Sequence, residues 1–156
     1  MELHTRVLPP EILIPELLGL LEEADSVPLV ISGGSMTPFL VHGRDTVYLS
    51  KVSKPLKRGD MILYRRTTGR YVLHRIYKVH RDGYSLVGDA QTQIEPGIRQ
   101  EQVLAVVDAV HRNGKLLKSG NFCWLFFEKV WIRMVPFRRL IIGLYGTLKE
   151  NRRRAE

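Results

Sequence analysis

The sequence predicts a mainly β domain, folded as a barrel or sandwich, with a short helix at the N-terminus and amphipathic helices at the C-terminus. Short runs rich in β-branched and aromatic residues alternate with turn signals between residues 27 and 110. The pairs Asp82-Gly83 and Asn113-Gly114 favour two-residue hairpin turns, because such turns need residues that tolerate positive φ. No helical pattern separates the runs, so the strands are expected to pair antiparallel. The predicted strands are VPLVI, DTVYLS, DMILYRR, RYVLHRIYKV, YSLVG and VLAVVDAV.

Helical patterns flank this β region and divide the chain into three segments. Residues 1–26 form a lead whose run LPPEILIPELLGLLEEAD predicts a short helix, with prolines at its entry and leucines at helical spacing. Residues 27–119 form the β domain. Residues 120–156 form a basic, amphipathic helical tail that Pro136 interrupts. Its second half places Phe137, Leu140, Ile141, Leu144, Tyr145 and Leu148 on one stripe.

The composition narrows the class of protein. A chain of 156 residues is most simply one domain with a real core. Cys123 is the sole cysteine, which excludes an intramolecular disulfide and a metal site built from several cysteines. The acidic first 25 residues do not resemble a secretory signal, and no apolar run approaches the roughly 20 residues that span a bilayer. We therefore expect a protein of the cytoplasm or the cytoplasmic membrane face.

The formal charge of +8 lies entirely in the C-terminal part of the chain. Residues 1–110 contain 13 basic and 13 acidic residues, whereas residues 111–156 contain 11 and 3. Such a tail either presents a solvated helix face or binds phosphate-bearing partners. Trp124, Trp131 and the neighbouring phenylalanines are expected to cover the β domain. The alternative is an interfacial anchor on anionic lipid, whose basic residues would be Arg133, Arg138, Arg139, Lys149 and Arg152 to Arg154.

One stretch, SGGSMTPFL, suggests nucleophilic chemistry. Ser35 follows two glycines, Gly33 and Gly34, whose lack of a Cβ would let backbone amides approach a substrate carbonyl. A serine needs a base to take its proton, and His74 alone among the five histidines lies in the middle of an apolar strand. The structural alternatives are a flexible turn for Ser35 and a half-buried strand histidine for His74.

Four segments in order, SGGSMTPFL, LKRGDMILYRR, YVLHRIYKV and LVGDA, resemble the boxes of type I signal peptidases and the related self-cleaving repressor peptidases. Ser35, Met36 and Pro38 match the nucleophile box. Gly-Asp pairs at 59–60 and 88–89 match two further boxes, and His74 stands where the family has its general base. A histidine there resembles the endoplasmic-reticulum type. The resemblance implies a coiled β fold and a serine endopeptidase acting on a leader or signal-like peptide.

The resemblance also implies roles for further residues. Asp89 is the favoured acid to orient His74, with Glu95 as the alternative. The Ser35 amide is expected to donate to the oxyanion, helped by Ser32, Gly33 or Gly34, and Met36 and Pro38 are expected beside the substrate. No metal or organic cofactor is implied.

Arg65 and Arg66 are expected to face solvent. Two other functions stay open: a catalytically inactive binding module, and a basic nucleic-acid-binding barrel.

Overall fold

Eight antiparallel strands form one open sheet in the computed structural model, which describes residues 8–144. The strands follow the order β1-β2-β7-β3-β4-β5-β6, and β8 pairs with the end of β7. The mainly β class is therefore confirmed. The bounds are β1 Val27–Val30, β2 Thr46–Ser50, β3 Met61–Arg65, β4 Tyr71–His80, β5 Gly83–Val87, β6 Glu95–Ile98, β7 Val103–Arg112 and β8 Lys115–Lys118.

The six predicted strands are all present, and two more join them. The Asn113-Gly114 turn has positive φ at both residues, 48° and 80°, and it connects β7 to β8 as a hairpin. At the other predicted turn, His80 pairs with Gly83, so the turn residues are Arg81 and Asp82. Gly83 is itself the first residue of β5, where a Cβ would lie 2.2 Å from the carbonyl oxygen of Ile98 on β6.

The N-terminal helix is confirmed as α1, which spans Pro10–Leu21. Pro10 occupies the first turn, where a missing N–H costs no hydrogen bond. Ile14 and Leu21 are buried in the same core as β1 and β2, so the helix covers that end of the sheet.

The C-terminal segment is an irregular helical run that packs on the β domain. A short helix α2, Phe122–Leu125, continues as a π-helical turn over Phe126–Val130 and a 3-10 helix over Trp131–Phe137, and residues 138–144 are helical. Its aromatic rings at Trp124, Phe127 and Trp131 are buried in the main core. Trp124 packs edge-on against Phe39, with 6.1 Å between ring centroids. The prediction that the aromatic residues cover the β domain is confirmed for these three rings, whereas Phe122 and Phe126 are exposed.

The predicted apolar stripe of the tail is only partly buried. Ile141 packs against the main core, whereas Phe137, Leu140 and Leu144 are exposed. Arg138, which the alternative lipid-anchor hypothesis placed against lipid, is wholly buried and donates hydrogen bonds to three backbone carbonyls, so that part of the alternative is wrong. Tyr145, Leu148, Lys149 and Arg152 to Arg154 lie outside the described residues. Within residues 8–144, no helix combines the length and the apolarity needed to cross a bilayer.

Candidate active site

Ser35 lies on the loop between β1 and β2, which is anchored in the core on its C-terminal side. Met36, Phe39 and Leu40 are all buried in the main core, whereas Ser35 itself is half-buried. The carbonyl oxygen of Ser35 accepts a hydrogen bond of 2.9 Å from the Ala90 N–H. A Cβ on Gly88 would lie 2.5 Å from that same oxygen, so only glycine lets the two loops meet without a shift.

His74 lies on β4 with its side chain buried, and its imidazole contacts a tyrosine of the neighbouring strand. The hydroxyl of Tyr64 on β3 is 3.2 Å from Nδ1 of His74. The same hydroxyl donates to Oε2 of Glu95 at 2.7 Å. Tyr64 therefore stands between His74 and a carboxylate.

Glu95 at the start of β6 is held by a two-point contact with Arg66. Nε and Nη2 of Arg66 lie 2.8 and 2.7 Å from the two carboxylate oxygens. Arg66 was expected to face solvent beside Arg65. Its side chain is instead only 31% exposed, because it forms an ion pair with Glu95. Arg65 is exposed as expected.

Asp89, the favoured acid, pairs with an arginine and makes no hydrogen bond to His74 within residues 8–144. Nε of Arg75 lies 2.9 and 3.0 Å from its two carboxylate oxygens, and both side chains are completely buried. Arg75 also donates to the carbonyl of Gly59 and stacks on Phe39, with its guanidinium 4.8 Å from the ring centroid. The Asp89–Arg75 pair therefore links all four of the quoted segments. The acid that is linked to His74 is Glu95, through the hydroxyl of Tyr64.

The electrostatic environment keeps the imidazole neutral. Burial lowers the pKa of His74 to about 4, and the Arg66 guanidinium adds to this effect while Glu95 opposes it. Burial opposes ionisation of Glu95, but hydrogen bonds from Arg66 and Tyr64 outweigh it and hold the pKa of that carboxyl below its ordinary value. At pH 7 the site thus contains a neutral imidazole and an ionised carboxylate.

Ser35 and His74 line one cleft of about 310 Å³. Its lining comprises the loop from Ile31 to Met36, the run from Arg70 to His74, and the side residues Arg66 and Gln91. No hydrogen bond joins the Ser35 hydroxyl to His74 among the described residues. The structure thus brings the two residues to a shared cleft without a hydrogen bond between their side chains.

The backbone amides near Ser35 are not equivalent. The Gly33 N–H donates to Nδ1 of His42 at 3.0 Å, so Gly33 is not available to an oxyanion in this conformation. The amides of Gly34 and Ser35 make no hydrogen bond within residues 8–144, which leaves both free to donate. Ser32 is exposed and lines the cleft.

The two residues expected beside the substrate differ in position. Met36 lines the cleft, but its side chain is 3% exposed and belongs to the main core. Pro38 is exposed and is not among the cleft residues, because the chain has already turned toward β7, where Arg112 donates to the Pro38 carbonyl at 3.3 Å. A second cavity of about 520 Å³, lined by 90–95 and Arg66, adjoins the cleft through Arg66 and Gln91.

The sequence interpretation missed Tyr64 and understated Arg66. Both occur in the run DMILYRR, two residues apart, and therefore project to the same face of an extended chain. Their shared face, next to the predicted strand that carries His74, is the one sequence feature that could have indicated that they lie near His74.

Among the described residues, no three His, Cys, Asp or Glu side chains form a group that could hold a metal ion. Neither a family model nor a curated protein matches this chain.

Proposed function

We propose that the protein is a serine endopeptidase with a signal-peptidase-like coiled β fold, and that it cleaves a leader or signal-like peptide. The observation that supports this best is the shared cleft, which both Ser35 and a neutral His74 line. A neutral imidazole is the form that can accept a proton from a serine hydroxyl. Two free amides, at Gly34 and Ser35, could stabilise the oxyanion that results.

The proposed reaction has two halves. In the first, Oγ of Ser35 attacks the peptide carbonyl carbon while His74 takes the hydroxyl proton. The tetrahedral oxyanion accepts from the amides near Ser35. The C–N bond then breaks, and His74 gives its proton to the leaving amine. In the second half, His74 takes a proton from water, whose oxygen attacks the ester carbonyl. The Ser35–acyl bond breaks, and the proton returns to Ser35.

The proposal requires the Ser35 hydroxyl to approach Nε2 of His74 when a peptide fills the cleft. Catalytic hydrogen bonds are commonly long without substrate and shorten in the complex. The half-buried Ser35 side chain has no competing hydrogen-bond partner within residues 8–144 that would oppose this motion.

The walls of the cleft suit an extended peptide. Residues 71–74 of β4 pair with β3 along one edge, whereas the β4–β5 pairing begins only at Arg75. The opposite edge of 71–74 therefore has no strand partner in the described part of the chain. A peptide could add there as a further strand and place its scissile carbonyl at Ser35.

The missing hydrogen bond between Ser35 and His74 favours one rival, a binding module that holds a peptide in the same cleft without cutting it. Both functions predict peptide binding. Only the enzyme predicts new peptide ends.

We also propose an anionic membrane surface as a partner. Exposed apolar side chains on the C-terminal segment form what we call the C-terminal patch: Phe122, Phe126, Val130, Phe137, Leu140 and Leu144. Phe122 is 85% exposed, which is unusual for a phenylalanine. Exposed basic residues, Lys129, Arg133 and Arg139, lie along the same segment. Aromatic rings beside cations match a negatively charged lipid interface.

The test of the enzymatic function is to incubate the purified protein with a proteome-derived peptide library and to identify new termini by mass spectrometry. We expect the wild type to generate them and the Ser35→Ala and His74→Gln variants to generate none. Ser53→Ala, at an exposed serine away from the cleft, is the matched control and should cleave like the wild type. Peptide binding without new termini would support the binding module instead.

A further inference from the structure

We propose that Tyr64 is a positioning residue that links Glu95 to His74, fixes the imidazole in its Nδ1–H form and leaves Nε2 free to accept a proton. This inference rests on the proposed function for its catalytic meaning. Its structural part, the tautomer of His74, can be tested without any substrate.

The count of hydrogen atoms determines the direction of each bond. Tyr64 has one hydroxyl hydrogen and two polar neighbours, Oε2 of Glu95 at 2.7 Å and Nδ1 of His74 at 3.2 Å. An ionised carboxylate can only accept, so the hydroxyl hydrogen goes to Glu95. The hydroxyl oxygen then presents its lone pairs to Nδ1. For that contact to be a hydrogen bond, Nδ1 must carry the proton.

Arg66 makes the opposite arrangement unfavourable. Its guanidinium donates to both oxygens of Glu95, which keeps the carboxylate ionised beside the tyrosine. If the hydroxyl donated to His74 instead, its oxygen would face the carboxylate oxygen at 2.7 Å with no hydrogen between them. The charges that face His74 are thus Glu95, through Tyr64, and the Arg66 guanidinium.

The arrangement differs from a triad in which the acid contacts histidine directly. Asp89 is occupied by Arg75, and no carboxylate hydrogen-bonds to His74 within residues 8–144. The tyrosine takes the place of the acid beside the imidazole. The carboxylate polarises the hydroxyl, so its oxygen becomes a better acceptor for the Nδ1–H and can support the imidazolium formed during catalysis.

The experiment compares the wild type with Tyr64→Phe by nitrogen-15 NMR of the His74 imidazole at pH 7. We expect a protonated Nδ1 and an unprotonated Nε2 in the wild type, and loss of that preference in Tyr64→Phe. Phenylalanine fits the same buried space, so folding should survive. Tyr84→Phe is the matched control, because Tyr84 is also a buried tyrosine whose hydroxyl bonds a side chain, that of Gln100. It should leave the His74 signals unchanged.

Cleavage assays complete the test. For Tyr64→Phe we expect kcat to fall about 10- to 100-fold with KM little changed, and for Glu95→Gln we expect the acid limb of the pH–rate profile to move to lower pH. An unchanged tautomer together with an unchanged kcat in Tyr64→Phe would overturn the inference. Should Tyr64→Phe fail to fold, Glu95→Gln with unaltered His74 signals and profile would overturn it equally. Cleavage that survives Ser35→Ala would instead refute the proposed function and leave the tautomer result standing.

Discussion

Asp89 and Arg75 form a completely buried ion pair, with Nε of Arg75 2.9 Å from Oδ1 of Asp89. Arg75 also bonds the carbonyl of Gly59 and stacks on Phe39. A buried charge that loses its partner is strongly destabilising, so this pair is expected to support the fold around the site rather than the chemistry in it.

Asp89→Asn should therefore destabilise the protein by about 3–5 kcal/mol, because it leaves the Arg75 charge buried and uncompensated. Urea unfolding followed by circular dichroism measures the change. Asp108→Asn, at an exposed acid bonded to Ser50, is the control and should change stability by less than about 1 kcal/mol. An Asp89→Asn protein with normal stability and no activity would indicate instead that Asp89 is the acid that orients His74.

The buried histidine predicts a loss of stability in acid. The pKa of His74 lies near 4 in the folded protein, because burial penalises the imidazolium, against 6.5 in an unfolded chain. The unfolded state therefore binds the proton more readily between these two values. The free energy of unfolding therefore carries no penalty from His74 above about pH 6.5, and it decreases as the pH falls toward 4. The loss amounts to about 3 kcal/mol.

Urea unfolding at pH 7.5 and at pH 4.5 measures this effect. Since other carboxylates also titrate, the comparison is with His74→Gln, whose stability should fall by about 3 kcal/mol less over the same interval. Equal pH dependence in the two proteins would show that the imidazole is not held neutral by burial.

Gly88 supplies the close contact between the two loops of the site. In Gly88→Ala the new Cβ would meet the Ser35 carbonyl oxygen at 2.5 Å, so the nucleophile loop must shift. We expect kcat/KM for a cleaved peptide to drop on the order of 10- to 100-fold, because displacement of a reacting group by about an ångström has that effect. The control is Gly19→Ala on α1, where a Cβ meets nothing within 4 Å. Full activity in Gly88→Ala would contradict the importance of this contact.

The C-terminal patch should bind anionic vesicles. Replacing Phe122 and Phe137 with serine removes two exposed rings, 85% and 58% exposed, and should weaken co-sedimentation with vesicles that contain phosphatidylglycerol by at least about tenfold. Leu116→Ser is the control, since Leu116 is an apolar residue of β8 whose exposure of 55% is close to that of Phe137. Identical sedimentation of the double variant and the wild type would refute the patch as a lipid contact.

The sequence predicted six of the eight strands because turn signals, most of them containing glycine, separate these runs. It did not predict β6 and β8 for physical reasons. In β6, the pair Pro96-Gly97 is typical of a turn, yet both residues lie in a strand at the edge of the sheet. There a proline is tolerated, because its missing N–H would have no strand partner to bond. In β8, the run KLLK is only four residues long and is defined by its pairing with β7.

The candidate site could be predicted only in part. Ser35 and His74 stand in short local motifs, and the structure brings both to one cleft. The sequence interpretation favoured Asp89 over Glu95, although both acids lie in the short stretch that follows the run YSLVG and nothing local distinguishes their partners. The choice depends on Tyr64 and Arg66, which lie about 30 residues earlier in the chain and meet Glu95 only after the sheet has formed.

The central claim is that Ser35 forms a covalent bond with the peptide it cuts. Its most direct test is rapid acid quenching of the wild-type protein mixed with a cleaved peptide, followed by mass-spectrometric mapping of the acylated residue. We predict an acyl group on Ser35 in the wild type and neither acylation nor cleavage in Ser35→Ala. Cleavage at an undiminished rate in Ser35→Ala, or an acyl group found on another residue, would contradict the account.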